Sequence, residues 1–177
     1  MIVAISFLLA LVVTSLLEYV IHRLMHARVV LGAHHAAHHK DGWGQGFWPE
    51  LRAYLLPGML AILPPWLLGV EVGIGWTAGC TVSASFMAYA HQLQHDNPVA
   101  CRWMPMPVHY VHHRDQMWHH NFGMSSDVWD RLFGTYKRVP FGAEFSGEDR
   151  RRGAFDIHWR RNREEAPRAG EPRLRRS

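Results

Sequence analysis

Thirteen of the 14 histidines fall between residues 22 and 120, in clusters with a repeating interval. Along the chain, HRLMH supplies His22 and His26, HHAAHH supplies His34, His35, His38 and His39, HQLQH supplies His91 and His95, and HYVHH supplies His109, His112 and His113. Positions i, i+3 and i+4 share a helix face, so each group is expected to aim two or three imidazoles at one point, with four groups surrounding a shared site. Neutral imidazole is a donor for iron, zinc or copper. With His34 set aside, ten such ligands exceed what one ion takes, which makes a dinuclear centre the economical count. Ligand type alone does not separate iron from zinc.

Some histidines stand outside the repeated interval. His34 is i, i+4 with His38, but the pattern shared with His109, His112 and His113 favours His35 as the ligand and leaves His34 to support the site from outside. His119 and His120, just before Asn121, are read as supporting the ligands or lining a pocket. His158 is expected in solvent. A metalloprotease is disfavoured because no HExxH occurs.

The elements that must carry these groups are apolar helices. Hydrophobic residues make up 48% of the chain and lie almost entirely before residue 100, so the slightly negative mean hydropathy averages two unlike halves. From residue 2 to 21 the sole charged side chain is Glu18, leaving about 20 residues, the length that crosses a bilayer core of roughly 30 Å. A cleaved signal peptide would need a basic start and a small-residue cleavage site; here the helical pattern runs on into His22 and His26. A second apolar stretch, 53–90, is broken by Pro57, Pro64, Pro65 and the sequence from Val70 to Gly73, and reads as a helical hairpin with arms at 51–68 and about 74–93. Ala78, Gly79, Ser83, Ala84 and Ser85 would permit close packing of the second arm.

No Lys or Arg occurs in residues 1–22 or 53–101, so all 19 lie on segments that three crossings put on one face. By the positive-inside rule that face is cytoplasmic, and every histidine group falls beside it. The expected fold is an all-α integral membrane bundle with a cytoplasmic, histidine-rich helical cap. Residues 1–141 form the membrane-embedded domain and residues 142–177 a basic tail whose low hydrophobicity predicts partial disorder. That basic face would be drawn to an anionic leaflet and could dock an acidic electron-transfer protein. Nucleic acid is not an expected partner, since no groove-reading motif accompanies the charge. Cys80 and Cys101 cannot build a disulfide framework and are read as packing or loop residues.

EYVIHRLMH at 18–26, HHAAHHKD, HQLQH, HYVHH and NFGMSSDVWDRLFGTY at 121–136 together resemble the fatty acid hydroxylase and sterol desaturase superfamily, over about residues 15–138. The resemblance implies a cap bearing two iron ions, with zinc able to replace them in purified protein, and the use of O2 and external electrons to hydroxylate or desaturate a lipid. Carried over by position, the ligands are His22, His26, His35, His38, His39, His91, His95, His109, His112 and His113. Asp130, with Asn121 nearby, would orient imidazoles through their free N–H. The chain looks most like the fatty acid 2-hydroxylase branch, while its small size is similar to bacterial carotenoid hydroxylases. No fused cytochrome b5 domain is expected, so the electron donor would be a separate cytochrome b5- or ferredoxin-like protein.

An unactivated C–H bond has no acidic proton and no leaving group, so acid–base side chains cannot open it and a redox metal is required. The expected substrate is a fatty acyl, sterol-like or carotenoid lipid, admitted laterally past Trp43, Phe47, Trp48, Phe86 or Met87. Two other readings stay open on sequence: a membrane histidine-rich metal-binding or transport protein, which predicts ligands in mid-bilayer, and a bis-His haem protein, which leaves the HxxHH groups unexplained.

Overall fold

Nothing in the apolar run after Met1 stops a helix, and α1 (Ile2–His26) continues unbroken through both histidines of the first group. The computed structural model describes residues 1–42 and 44–160. Within them the chain is helical without strands: α2 (Gly32–Asp41), α3 (Phe47–Ile62), α4 (Val70–Asp96), α5 (Val108–Arg114) and α6 (Val128–Leu132) follow α1. Arg28 and Leu31 adopt positive φ of 59° and 47°, which reverses the chain so that α2 returns beside the end of α1.

α1 and α4 pack in parallel along a stripe of small residues. A Cβ on Gly75 would lie 2.2 Å from the Val3 carbonyl oxygen, and one on Gly79 2.6 Å from that of Phe7. Only glycine lets the backbones approach so closely. Ser6 Oγ donates to Val72 O at 2.8 Å, and Thr14 Oγ1 donates to Ser83 Oγ at 2.6 Å. Gly79, Ser83 and Ala84 are buried as expected, whereas Ala78 is exposed and Ser85 half-buried; Gly75, four residues before Gly79, completes the stripe.

The hairpin turns earlier than expected. The reversal sits at Gly69 (φ 122°), and Val70 to Gly73 already belong to α4. Glu71 in the first turn of α4 favours a helix start through the macrodipole, and Gly73 is covered by the Trp66 ring. Pro57 lies inside α3, which ends before a 3-10 turn at Pro64–Leu68. Pro65 has no N–H for the Ala61 carbonyl, and Trp76 Nε1 donates to that oxygen instead, at 2.9 Å.

Two segments, Ile2–His26 and Phe47–Leu68, are long and apolar enough to cross a membrane. Their outer faces are bare: Leu8, Leu60 and Leu67 are 60%, 81% and 90% exposed. α4, the third expected crossing, spans 27 residues but its small and polar residues keep it outside that pair, and it packs against both α1 and α3. Since α1 and α4 run the same way, His22, His26, His91 and His95 emerge at one end of the bundle, where α2, α5 and α6 gather.

Of the basic tail, residues 142–160 lie against that same end. Carbonyls of His158 and Trp159 accept from the Phe47 and Trp48 N–H groups at 3.0 and 3.1 Å, capping α3. Arg152 donates to the Asp96 carbonyl at 2.7 Å, and His158, half-exposed, pairs with the Asp96 carboxylate at 2.9 Å. Residues 161–177 and Trp43 lie outside the described residues. Cys80 and Cys101 are buried free thiols, and burial pushes Cys101 up to about 12.

Candidate metal centre

The helix interval sorts the imidazoles into two groups with ligand atoms all within 4.8 Å of one another: His22, His26, His35, His39 and His112, and separately His38, His91, His95 and His109. The HxxxH pairs stay whole, one per group, as spacing predicts. The HxxHH triads do not. In α2, His35 and His39 lie on one i, i+4 row while His38, one residue from His39, is rotated about 100° to the other side; in α5, His109 and His113 share the i, i+4 row and His112, one residue from His113, turns to the other side. The expectation of one shared focus per triad is therefore corrected: α2 and α5 each contribute to both groups. His113 stands beside the second, its ring centroid 4.5 Å from that of His109 and 4.6 Å from that of His38, and stacks on His39 at 4.0 Å. Both its ring nitrogens are buried without a hydrogen-bond partner.

The distances within the first group suit a cation. His35 Nε2 lies 3.1 Å from that of His22, 2.9 Å from that of His26 and 3.1 Å from that of His39. His112 Nε2 lies 2.9 Å from His26 Nε2 and 3.2 Å from His39 Nε2. An imidazole nitrogen has either one proton or one lone pair, so it cannot form three mutual hydrogen bonds. Ligands about 2.1 Å from a first-row ion, at right angles, stand about 3 Å apart. In the second group the Nε2 pairs His91–His38 and His109–His95 are 3.3 and 3.2 Å apart.

The outward-facing nitrogens show how the rings are held. His22 Nδ1 donates to the Phe122 carbonyl at 2.5 Å and His112 Nδ1 to the His120 carbonyl at 2.7 Å, so in both rings Nε2 keeps its lone pair for the site. Burial first, and then neighbouring imidazoles, hold His35 down to about 2. Burial holds His39 down to about 4, and burial is the main cause that keeps His109, His112 and His113 far below the ordinary imidazole range. Neutral donors are the form a metal requires.

Asp130 works one step further out than expected. It is fully buried, and its hydrogen bonds go to groups other than the imidazoles: the carboxylate accepts from the N–H groups of Phe122 and Gly123 at 2.9 and 2.7 Å and from Thr135 Oγ1 at 2.7 Å. It thereby fixes the segment whose Phe122 carbonyl holds His22. Asn121, with φ 61°, pairs through both side-chain atoms with the Lys137 main chain at 2.8 and 2.9 Å. His120 contributes its carbonyl, while His119 is exposed and lines a cavity; His34 is exposed and joins neither group.

Four residues escaped the sequence reading. Glu18, read only as a charge in an apolar run, accepts from Met124 N, Ser125 N and Ser125 Oγ at 2.5–2.8 Å. Gln92 and Gln94, read as spacers in HQLQH, are fully buried; Gln92 Oε1 accepts from Gly46 N at 2.7 Å, and Gln94 Oε1 from His109 N at 2.9 Å. Glu50 Oε1 lies 3.2 Å from His91 Nδ1. A signal was available for three of them: Gln92 and Gln94 stand one and three residues from His91 and His95, and Glu18 stands four before His22, all within otherwise apolar helices, whereas Glu50 has no histidine near it in sequence.

A cavity of about 390 Å³ reaches the first group at His26, between Trp118 and Phe122, with Arg23, Arg28 and His119 at its rim. Of the expected lateral liners, Phe47 packs between Trp48 and Trp159, Phe86 lies against Trp103, and Met87 is buried; none lines this cavity.

The fatty acid hydroxylase family model matches residues 7–135. Among curated proteins the chain is similar to the dihydroceramide fatty acyl 2-hydroxylase FAH2 of Arabidopsis thaliana, with 26% identity over 149 residues that cover 75% of this chain. The chain spans 60% of that relative's length. No solved structure matches the chain.

Proposed function

The chain belongs to the fatty acid hydroxylase family, and from that premise we propose that it is a membrane-embedded dinuclear iron oxygenase that hydroxylates a C–H bond of a lipid acyl chain. The observation that carries the reading is the convergence of imidazole Nε2 atoms at 2.9–3.2 Å in the first group. One ion would be held by His22, His26, His35, His39 and His112, and the other by His38, His91, His95 and His109 with His113 beside them. Bound there, iron supplies the redox chemistry with O2 that acid–base side chains lack.

The overall reaction puts one oxygen atom of O2 into the C–H bond. The other leaves as water, with an electron pair and a proton pair delivered from outside. The electrons would come from a separate cytochrome b5- or ferredoxin-like protein docking on the basic end. The chain's own part is to keep the imidazoles neutral, to lock His22 and His112 in one tautomer through the Phe122 and His120 carbonyls, and to shield the site with Trp118 and Phe122. The cavity at His26 would seat the reacting part of the lipid, with Arg23 and Arg28 at its polar rim. The name of the Arabidopsis relative supplies the substrate class to try first, the acyl chain of a dihydroceramide. Desaturation is the other outcome the same centre would allow.

Three crossings, formed by α1, the segment Phe47–Leu68 and α4, would put the N-terminus outside and the histidine end in the cytoplasm, supported by the absence of Lys and Arg from 1–22 and 53–101. Lipid profiling by mass spectrometry, in cells with and without the gene, tests the function. Appearance of a hydroxylated or desaturated acyl lipid that needs O2 and intact His112 is the expected result. An unchanged lipidome with altered cellular metal content would instead favour metal transport.

A further inference from the structure

Glu50 stands in the first turn of α3, only 6% exposed, with Oε1 3.2 Å from His91 Nδ1 and the Tyr54 hydroxyl as its other side-chain neighbour. On its other side His91 turns Nε2 into the second group, 3.3 Å from His38 Nε2. An imidazole that gives its Nε2 lone pair to a cation keeps its proton on Nδ1, and that proton would face Glu50. The first group is held differently, since His22 and His112 donate to the main-chain carbonyls of Phe122 and His120.

The difference is one of charge. A carbonyl is a neutral dipole, whereas a carboxylate brings full charge into surroundings that screen it poorly. A carboxylate behind an imidazole strengthens the ring as a donor. The macrodipole accounts for an acidic residue in the first turn of a helix, but it does not account for burying one whose near side-chain neighbours, Tyr54 and His91, are neutral groups, which is unfavourable without a positive charge nearby. A cation in the second group meets that need.

We propose that Glu50 is a positioning residue that makes the two metal sites unequal: the His38, His91, His95 and His109 site holds its ion more tightly than the His22, His26, His35, His39 and His112 site. The inference rests on the dinuclear reading above. It is tested on the full chain in detergent, stripped of metal and titrated with Zn2+ in competition with a chromophoric chelator. Wild type is expected to fill two sites in two separable steps. Glu50→Gln keeps a carbonyl oxygen that can face Nδ1 but lacks the charge, and should weaken the tighter step roughly 10–100-fold while leaving the weaker step where it was.

Ligand variants assign the steps: His35→Ala should remove the weaker one and His95→Ala the tighter. Equal weakening of both steps in Glu50→Gln, which a merely structural role would produce, overturns the proposal, as does no change in either. Should Glu50→Gln fail to fold, His95→Ala still decides, because loss of the weaker ion there overturns the assignment. Wild type that binds fewer than two ions overturns the dinuclear reading itself, and the inference falls with it.

Discussion

Gln94 Oε1 accepts from the His109 main-chain N–H at 2.9 Å, so α4, which carries His91 and His95 in its last turns, caps the first turn of α5. The Tyr110 N–H shares the same acceptor at 3.4 Å. No side chain of the residue preceding α5 caps it, and a seven-residue helix has little stability of its own. Gln94 Nε2 meanwhile donates to the Met124 carbonyl at 2.5 Å, tying α5 to the segment that holds His22. Gln94→Ala is expected to strip the cap and leave buried N–H groups unpaired, at about 1–3 kcal/mol. A lowered melting temperature together with reduced metal content would be observed; an unchanged melting temperature would show that α5 is positioned by other contacts.

Loss of a ligand should differ from loss of a support. His112→Ala removes an imidazole whose Nε2 stands 2.9 Å from that of His26, and is expected to reduce lipid hydroxylation by more than the roughly 10–100-fold typical of outer partners. Elemental analysis of the purified variant should find less iron than in wild type. His34→Ala, at an exposed position outside both groups, should retain wild-type metal content and activity. Loss of metal in His34→Ala would contradict the grouping.

What could be read from the sequence divides along physical lines. Helix periodicity is local, so α1, the approximate hairpin and the gathering of HxxxH pairs at one end follow from spacing and apolar length. That His38 points away from the His35 and His39 row follows from helix rotation; that it meets His91, His95 and His109 there depends on how α2 sits between α1 and α4, a tertiary fact that i, i+3 and i+4 counting cannot supply. Glu18, Glu50, Gln92 and Gln94 are as polar on paper as any surface residue; their roles appear only when burial makes each hydrogen bond obligatory. Asp130 was legible as a support, but its action through the Phe122 carbonyl was not, because backbone acceptors leave no trace in residue type. The descent of residues 142–160 onto the ends of α3 and α4 was hidden in part for the same reason: the His158 and Trp159 carbonyls accept from the first N–H groups of α3, and the His158 N–H donates to Asp96.

Acid should release the metal. In the unfolded chain histidine titrates near 6.5, whereas burial in the folded chain brings His39 down to about 4 and His35 to about 2. A depressed folded pKa means that below 6.5 the unfolded state binds more protons, so the stability contributed by these neutral rings is complete above about 6.5 and is lost as pH falls towards 4 and then 2. Bound metal competes with the same protons, which moves the loss in the same direction. Melting temperature and retained metal, measured from pH 8 down to pH 4, should hold constant at the upper end and fall together below about 6.5. Retention of full metal and stability at pH 4 would be incompatible with histidine as the dominant ligand.

The segment between His120 and Ser125 offers the sharpest steric test. A Cβ on Gly123 would lie 2.0 Å from the Ser126 carbonyl oxygen and 3.0 Å from Asp130 Oδ2. Neither the backbone oxygen nor a carboxylate held by three donors is free to retreat. Gly123→Ala should therefore displace the turn, move the Phe122 carbonyl off His22 Nδ1 and release the first group's ion, with destabilisation of about 2 kcal/mol or more. Gly58 provides the contrast, since a Cβ there meets nothing within 4 Å in the interior of α3; Gly58→Ala should leave metal content unchanged and stabilise the fold by roughly 0.5–1 kcal/mol. Thermal melts and metal analysis of the two variants, side by side, separate a glycine required by contact from one that is merely tolerated. Equal behaviour of the pair would remove the Phe122 carbonyl from the account of how His22 is held.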